Sequence, residues 1–145
     1  AAEHDVPYVA MHMKGDPRTM QSMTDYRDIV AEVVDYFRER TAQLRERGVR
    51  RIVVDPGFGF AKTLEQNYEL LRDLHRLAEL GYPVLAGVSR KSMIYKLLGT
   101  TPAEALNGTT ALHWECLRQG AVILRAHDTR EAVEVVRMFD QFMQA

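Results

Sequence analysis

Pro83-Val84-Leu85-Ala86-Gly87-Val88-Ser89-Arg90-Lys91-Ser92-Met93-Ile94-Tyr95-Lys96-Leu97-Leu98 reads as a strand, a junction and a helix. The apolar run Pro83 to Ala86 has the character of a strand buried on both faces, and Met93 to Leu98 that of a helix. Between them two cations, Arg90 and Lys91, and two hydroxyls, Ser89 and Ser92, sit where strand gives way to helix. The first N–H groups of a helix have no partner within it, so such a junction suits an anion.

The same order recurs along the chain. Apolar runs lie at Val6 to Met13, Arg51 to Asp55, Pro83 to Val88 and Ala121 to His127, and each precedes a longer segment with helical periodicity. Strand starts about 30 to 45 residues apart suit consecutive right-handed βα units and a parallel sheet. The first helix is expected from about Thr24 to Arg47, with Ile29, Val30, Val33, Val34, Phe37 and Leu44 on one face and Gly48 past its end. The second is expected from Leu64 to Leu80, stopped by Gly81 and Pro83. The third breaks at Gly99 and restarts at Thr101-Pro102-Ala103-Glu104, a capping-box pattern with proline at the first helical position. The fourth runs from about Thr129 to Met143, with Val133, Val136, Phe139 and Phe142 as its expected buried stripe. No linker, low-complexity segment or charge block divides residues 1–145, so one α/β domain of four βα units is expected.

Composition narrows the function classes. With 46% hydrophobic and 27% charged residues the chain can build a core, and a formal net charge of −1 gives no footprint for nucleic acid or a membrane surface. No apolar run approaches the roughly 20 residues that span a bilayer, and the start of the chain lacks a signal-peptide pattern. Cys116 is the sole cysteine, which fits a reducing compartment, and the expected location is cytoplasmic.

Polar groups gather at the carboxyl end of every strand, where parallel α/β proteins place ligands. The second strand ends in Asp55, followed by Pro56-Gly57-Phe58-Gly59-Phe60-Ala61-Lys62, a loop that can approach a flat heterocycle closely and face it with aromatic rings. Read alone, Asp55 equally well caps a turn above packed phenylalanines. At the third strand, alternation puts Gly87, Ser89 and Lys91 on one side and Val88 and Arg90 on the other. Ser92 falls at or near the helix start, either as a simple cap or as the holder of a carboxylate or phosphate. At the fourth, Arg125 and His127 share a face and suit a diphosphate, because guanidinium offers a two-donor fork. Asp128 is expected to cap the last helix. Met11 could floor a pocket, with His12 turned to the opposite side, and the scattered histidines show no metal-ligand spacing.

Four motifs then stand together: Met11-His12-Met13 with Gly15 and Met20-Gln21, Asp55 to Phe60 with Lys62, Ser89 to Ser92, and Arg125-Ala126-His127-Asp128. In order and spacing the chain resembles the bacterial dihydropteroate synthases over essentially its whole length. The resemblance implies a folate-pathway transferase, the sulfonamide target, that joins 4-aminobenzoate to 6-hydroxymethyl-7,8-dihydropterin diphosphate and releases pyrophosphate with Mg²⁺ assistance. It implies that Asp55 bonds the pterin amino edge, Lys91 its carbonyl and ring nitrogen, and that Met11 lies in the pterin pocket. Phe60, Arg90 and Ser92 would line the aminobenzoate site, Ser92 holding the carboxylate, while Arg125 and His127 bind the leaving pyrophosphate. Lys62, Gly87 and Ser89 complete the implied substrate-binding set, within which Lys91, Arg125 and His127 are the implied catalytic residues.

Members of that family are eight-unit barrels, and this chain matches units five to eight. The resemblance therefore places the main Mg²⁺ ligand, two mobile loops and further pterin-binding residues in an amino-terminal half. Ala1 to Pro7 reads as the tail of a preceding helix and lacks an initiator methionine, so a half-barrel fragment, inactive alone, is expected. Four strands cannot close such a barrel, and the open edges and apolar inner face favour homo-oligomers or association with the other half. Two alternatives remain: a pterin-binding domain of the methyltransferase type, which the Ser89 to Ser92 motif argues against, and a non-catalytic, self-associating half-barrel that binds pterins or anions.

Overall fold

The computed structural model describes residues 1–16, 18, 19 and 22–145; the Met20-Gln21 part of the first motif lies outside them. Strands β1 (Tyr8–Met11), β2 (Ile52–Asp55), β3 (Val84–Ala86) and β4 (Ala121–Leu124) form one parallel sheet in chain order. They alternate with α1 (Ile29–Glu46), α2 (Leu64–Arg72), α3 (His75–Ala78), α4 (Ser92–Leu98), α5 (Leu106–Arg118) and α6 (Thr129–Gln144). A doubly wound sheet reverses its strand order and carries helices on both faces. Here the order never reverses, and the architecture is that of four consecutive units of a (β/α)₈ barrel.

The core shows which face of the sheet is covered. Ala10, Ile52, Val54, Val84, Ala86 and Ala121 join Val33, Phe37, Leu70, Leu74, Leu77 and Ile94 in one buried cluster. Val9, Val53, Leu85 and Ile123 alternate onto the opposite face and lie outside that cluster, with Val9 43% and Ile123 39% exposed. This second face corresponds to the interior of a barrel, and β1 and β4 each keep one unpaired edge. Among the described residues no helix is long and apolar enough to cross a membrane.

Several boundaries differ from the sequence expectation, each for a local reason. The strands are shorter because the chain leaves the ladder once its ends turn into the site loops. Helix α1 starts at Ile29, since Asp28 caps the Ala31 amide and Glu32 reaches back to the amides of Arg27 and Asp28. The second helix divides at Asp73 and Leu74, where i to i+3 bonds tighten the backbone. The Thr101/Glu104 box closes on a single 3₁₀ turn, Pro102–Glu104, and α5 begins only at Leu106.

The expected stripe of α6 is also displaced. Ala132 and Val135 are buried, whereas Val133 and Phe142 are exposed, and Phe139 and Phe142 set their edges against Trp114 of α5. Helical periodicity finds an apolar stripe but not the width of the neighbour that covers it. Gly108 in α5 is required by close packing: a Cβ there would overlap the Cγ2 methyl of Ile94, a buried β-branched side chain with little freedom to move. Gly108→Ala should therefore destabilise the chain by ~1–3 kcal/mol in denaturant unfolding, although alanine is the better helix former. A stabilised variant would contradict this packing.

Candidate functional site

Register brings the predicted strand ends to one mouth. Met11 is opposite Asp55, and β3 and β4 carry Gly87, Ser89, Lys91, Arg125 and His127 around a cavity of about 170 Å³ that includes Ala126. The expected alternation holds here even though β3 ends at Ala86: Val88 is buried in the core and Ser89 and Lys91 face the cavity. A larger surface cavity of about 530 Å³ lies between α5 and α6, but no strand-end residue lines it.

Asp55 is the completely buried carboxylate of this mouth. Its Oδ1 accepts from the Gly57 amide at 2.8 Å. Its Oδ2 is 2.9 Å from Arg125 Nη2 as an ion pair, yet the alignment is poor and this oxygen accepts no hydrogen bond. Gly57 has φ +70°, and a Cβ there would overlap the His12 carbonyl oxygen, so only glycine lets this turn close.

The loop after Asp55 is strapped from beneath by Lys62. Its buried ammonium donates to the carbonyls of Gly57 (2.9 Å) and Phe60 (2.8 Å) and to His12 Nδ1 (3.1 Å). All three ammonium protons are thereby used, so Lys62 acts on the loop and has no proton left for a ligand. Burial, reinforced by the charge of Lys91, lowers its pKa to about 7. Burial, with Lys62 beside it, holds His12 down at about 3, so the imidazole is neutral and accepts at Nδ1. Strand alternation turned His12 away from the side of Met11 but gave no sign that it partners a lysine fifty residues on.

Lys91 donates to the Phe58 carbonyl and sits 4.6 Å from the centroid of the Phe60 ring. Burial brings its pKa down to about 8, opposed by Asp55 and assisted by Arg125. Ser92 occupies the first turn of α4 and, with Phe60, Arg90 and Tyr95, lines a second cavity of about 250 Å³. Lys91, common to both cavities, separates them.

Ser89 orients His127. The hydroxyl accepts from the His127 amide at 3.1 Å and lies 2.8 Å from Nδ1. The two contacts fix the ring at the cavity wall and leave Nε2 as the nitrogen that Ser89 does not engage. Arg90 is committed more deeply than the sequence suggests. Its guanidinium forks onto Asp128 at 2.8 and 2.9 Å and donates to the carbonyls of Pro102 and Ala103 at 2.7 and 2.6 Å. The backbone of Arg90 is held at φ +53° with its amide on Thr109 Oγ1. Asp128 therefore does not cap α6 through its side chain; the Arg90 bond takes the carboxylate and lowers its pKa. Thr109 and Asp128 were invisible as partners because the packing of α5 brings the one, and the sheet register the other, to Arg90.

The sequence profile of the pterin binding enzyme family matches residues 1–127. The chain belongs to that family. Among its relatives, the dihydropteroate synthase of Escherichia coli K12 is 43% identical over the whole of this chain and 52% of its own length. That of Synechocystis is also 43% identical, over 97% of this chain and 50% of its own. Two crystal structures of the Thermus thermophilus dihydropteroate synthase, one with 4-aminobenzoate and one with 6HMPPP, superpose with TM-scores of 0.93 and 0.94 at 42% identity, covering 97% of this chain and 58% and 57% of theirs. The Yersinia pestis enzyme with a sulfonamide drug superposes at 0.96 with 35% identity, over 99% of this chain and 53% of its own. This pterin binding enzyme chain thus spans about half the length of the curated relatives it matches.

Replacing Lys62 by methionine leaves two carbonyls and His12 Nδ1 without their donor, and should cost about 2–3 kcal/mol in chemical denaturation. Because the folded-state pKa is near 7 and the unfolded one near 10.5, the unfolded chain binds more protons between them. Wild-type stability should consequently rise from pH 7 toward pH 10 relative to Lys62→Met. Parallel pH profiles for the two proteins would exclude a buried, depressed Lys62.

Proposed function

We propose that this chain carries the carboxyl-terminal half of a dihydropteroate synthase active site, which condenses 6-hydroxymethyl-7,8-dihydropterin diphosphate with 4-aminobenzoate. The observation that carries the reading is the convergence of Asp55, Lys91, Arg125 and His127 at one sheet mouth, with Ser92 in an adjoining cavity across Lys91. The Thermus complexes with the two corresponding compounds support the same assignment.

The chemistry follows from the charges. The aryl amine nitrogen forms a bond to the pterin's exocyclic methylene as the carbon–oxygen bond to the diphosphate breaks; pyrophosphate departs with the electron pair and the amine loses a proton to water. Nothing in this requires a covalent nucleophile, so positioning and charge stabilisation dominate. Arg125 and the His127 ring face the departing oxygens, and Lys91 stands between the two reactants. Asp55 takes the pterin's donor edge, with Met11 beside it, and Ser92 and Phe60 hold the aminobenzoate. Arg90 shapes that pocket through its fork to Asp128, and Lys62 through the loop it straps.

Magnesium does not fit these residues as a site of their own. Among the described residues no group of three or more His, Cys, Asp or Glu side chains converges, and the mouth is lined by cations around one carboxylate. Any metal would be held chiefly by residues of another segment, where it would help neutralise the diphosphate. The same logic extends to the open inner face: Val9 and Ile123 need cover, which another half-barrel, or a second copy of this chain, would supply. A cytoplasmic location accords with the substrates.

Assayed alone, the chain should condense the two substrates at least ~10³-fold more slowly than when an amino-terminal half is added in trans, since orientation groups are then missing. Failure of the two halves together would reject the assignment. Pyrophosphate affinity should fall as pH rises through about 8, where the free chain's Lys91 loses its proton. A flat profile, or one unchanged in Lys91→Met, would remove Lys91 from the anion site.

A further inference from the structure

Arg125 reaches over the floor of the mouth to Asp55. Its guanidinium lies so close to Gly87 that a Cβ on that residue would meet Nη2 at 2.6 Å. The floor between Asp55 and Gly87, which a flat ring would use, is thus taken by a planar side-chain group. Two observations mark this as a replaceable contact. Asp55 Oδ2 is buried and accepts no hydrogen bond although Nη2 is 2.9 Å away, so a better-aligned donor would relieve a real cost. The Arg125 side chain is 50% exposed, so packing does not lock it in place. It also lines, with Lys91 and His127, the cavity suited to an anion.

We propose that Arg125 covers Asp55 in the ligand-free chain and is drawn off by a diphosphate, so that the pocket selects ligands carrying both a guanidine-like edge and a diphosphate. This rests on the pterin diphosphate reading of the site. The adjacent ring N–H and amino group of a pterin make a planar two-donor fork like that of guanidinium, and both compete for one carboxylate. A diphosphate supplies the stronger partner for Arg125, while the charge of Lys91 still acts on Asp55. The apparent affinity for a bare pterin is reduced by the fraction of chains in which Arg125 blocks Asp55. Linkage then requires that each ligand strengthen the other by the same factor.

The test is an NMR titration of the chain with 6-hydroxymethylpterin and with inorganic pyrophosphate, each alone and in the presence of the other. The expected result is reciprocal tightening of about fivefold or more, a usual size for coupling between sites. In Arg125→Ala, the pterin alone should bind about fivefold more tightly than in the wild-type chain, with no further gain from pyrophosphate. Arg125→Lys, which keeps the charge and loses the fork, should also bind the bare pterin more tightly and guards against a misfolded alanine variant. Independent binding of the two ligands, or weaker pterin binding by both variants, overturns the proposal while leaving the site assignment intact. Binding of neither ligand to the wild-type chain overturns the assignment and the proposal with it.

Discussion

A single buried carboxylate among cations governs this site. Asp55 lies at the end of a central strand with no exposure to water, and Lys62, Lys91 and Arg125 all feel its charge or touch it. Without that charge the two lysines would be more costly to keep protonated, because burial already presses both toward neutrality. Without the lysines, Asp55 would be a buried ion balanced only by a half-exposed, misaligned arginine. The loop from Pro56 to Phe60 fits between these groups: its amide at Gly57 serves the carboxylate, and its carbonyls at Gly57, Phe58 and Phe60 serve the lysines. Backbone dipoles therefore fill the space between charges of opposite sign, and the loop's shape is set by electrostatics as much as by its glycines.

Much of this was legible in the sequence, for reasons of period. Two-residue alternation put Ser89 with Lys91 and Arg125 with His127, and the sheet register brought both pairs to the cavity that the strand-end rule anticipates. The four-unit parallel order was likewise readable from spacing, whereas the half-barrel was implied only by the resemblance to an eight-unit family. The pairings that fix the site were not. Asp55 with Arg125, Arg90 with Asp128 and Lys62 with His12 join residues on different strands or loops, and no local spacing encodes them. The α6 stripe failed for a related reason, since burial there depends on Trp114 and its neighbours on α5 and not on the helix's own pattern.

The junction that first marked the chain proves to be a division of labour. Arg90, in a left-handed conformation unusual for a side-chain-bearing residue, turns its guanidinium away from the mouth and onto the start of α6. That turn leaves Ser89 and Lys91 facing one cavity and Lys91 and Ser92 the other. The strain at Arg90 is held by five hydrogen bonds, from its amide and its guanidinium, to three separate segments. A loop so braced is shaped before any ligand arrives, which limits the ordering entropy that binding must overcome.

The uninterrupted strand order also suits this half-barrel to growth in one direction. Each strand pairs with the one made just before it, so a chain emerging from the ribosome can dock each βα unit on a finished edge without awaiting a distant partner. The same order leaves an unpaired edge at β4 from the moment Leu124 is laid down, while α6 packs against α5. That edge, with Val122 66% exposed, is where the sheet is most open to wrong partners.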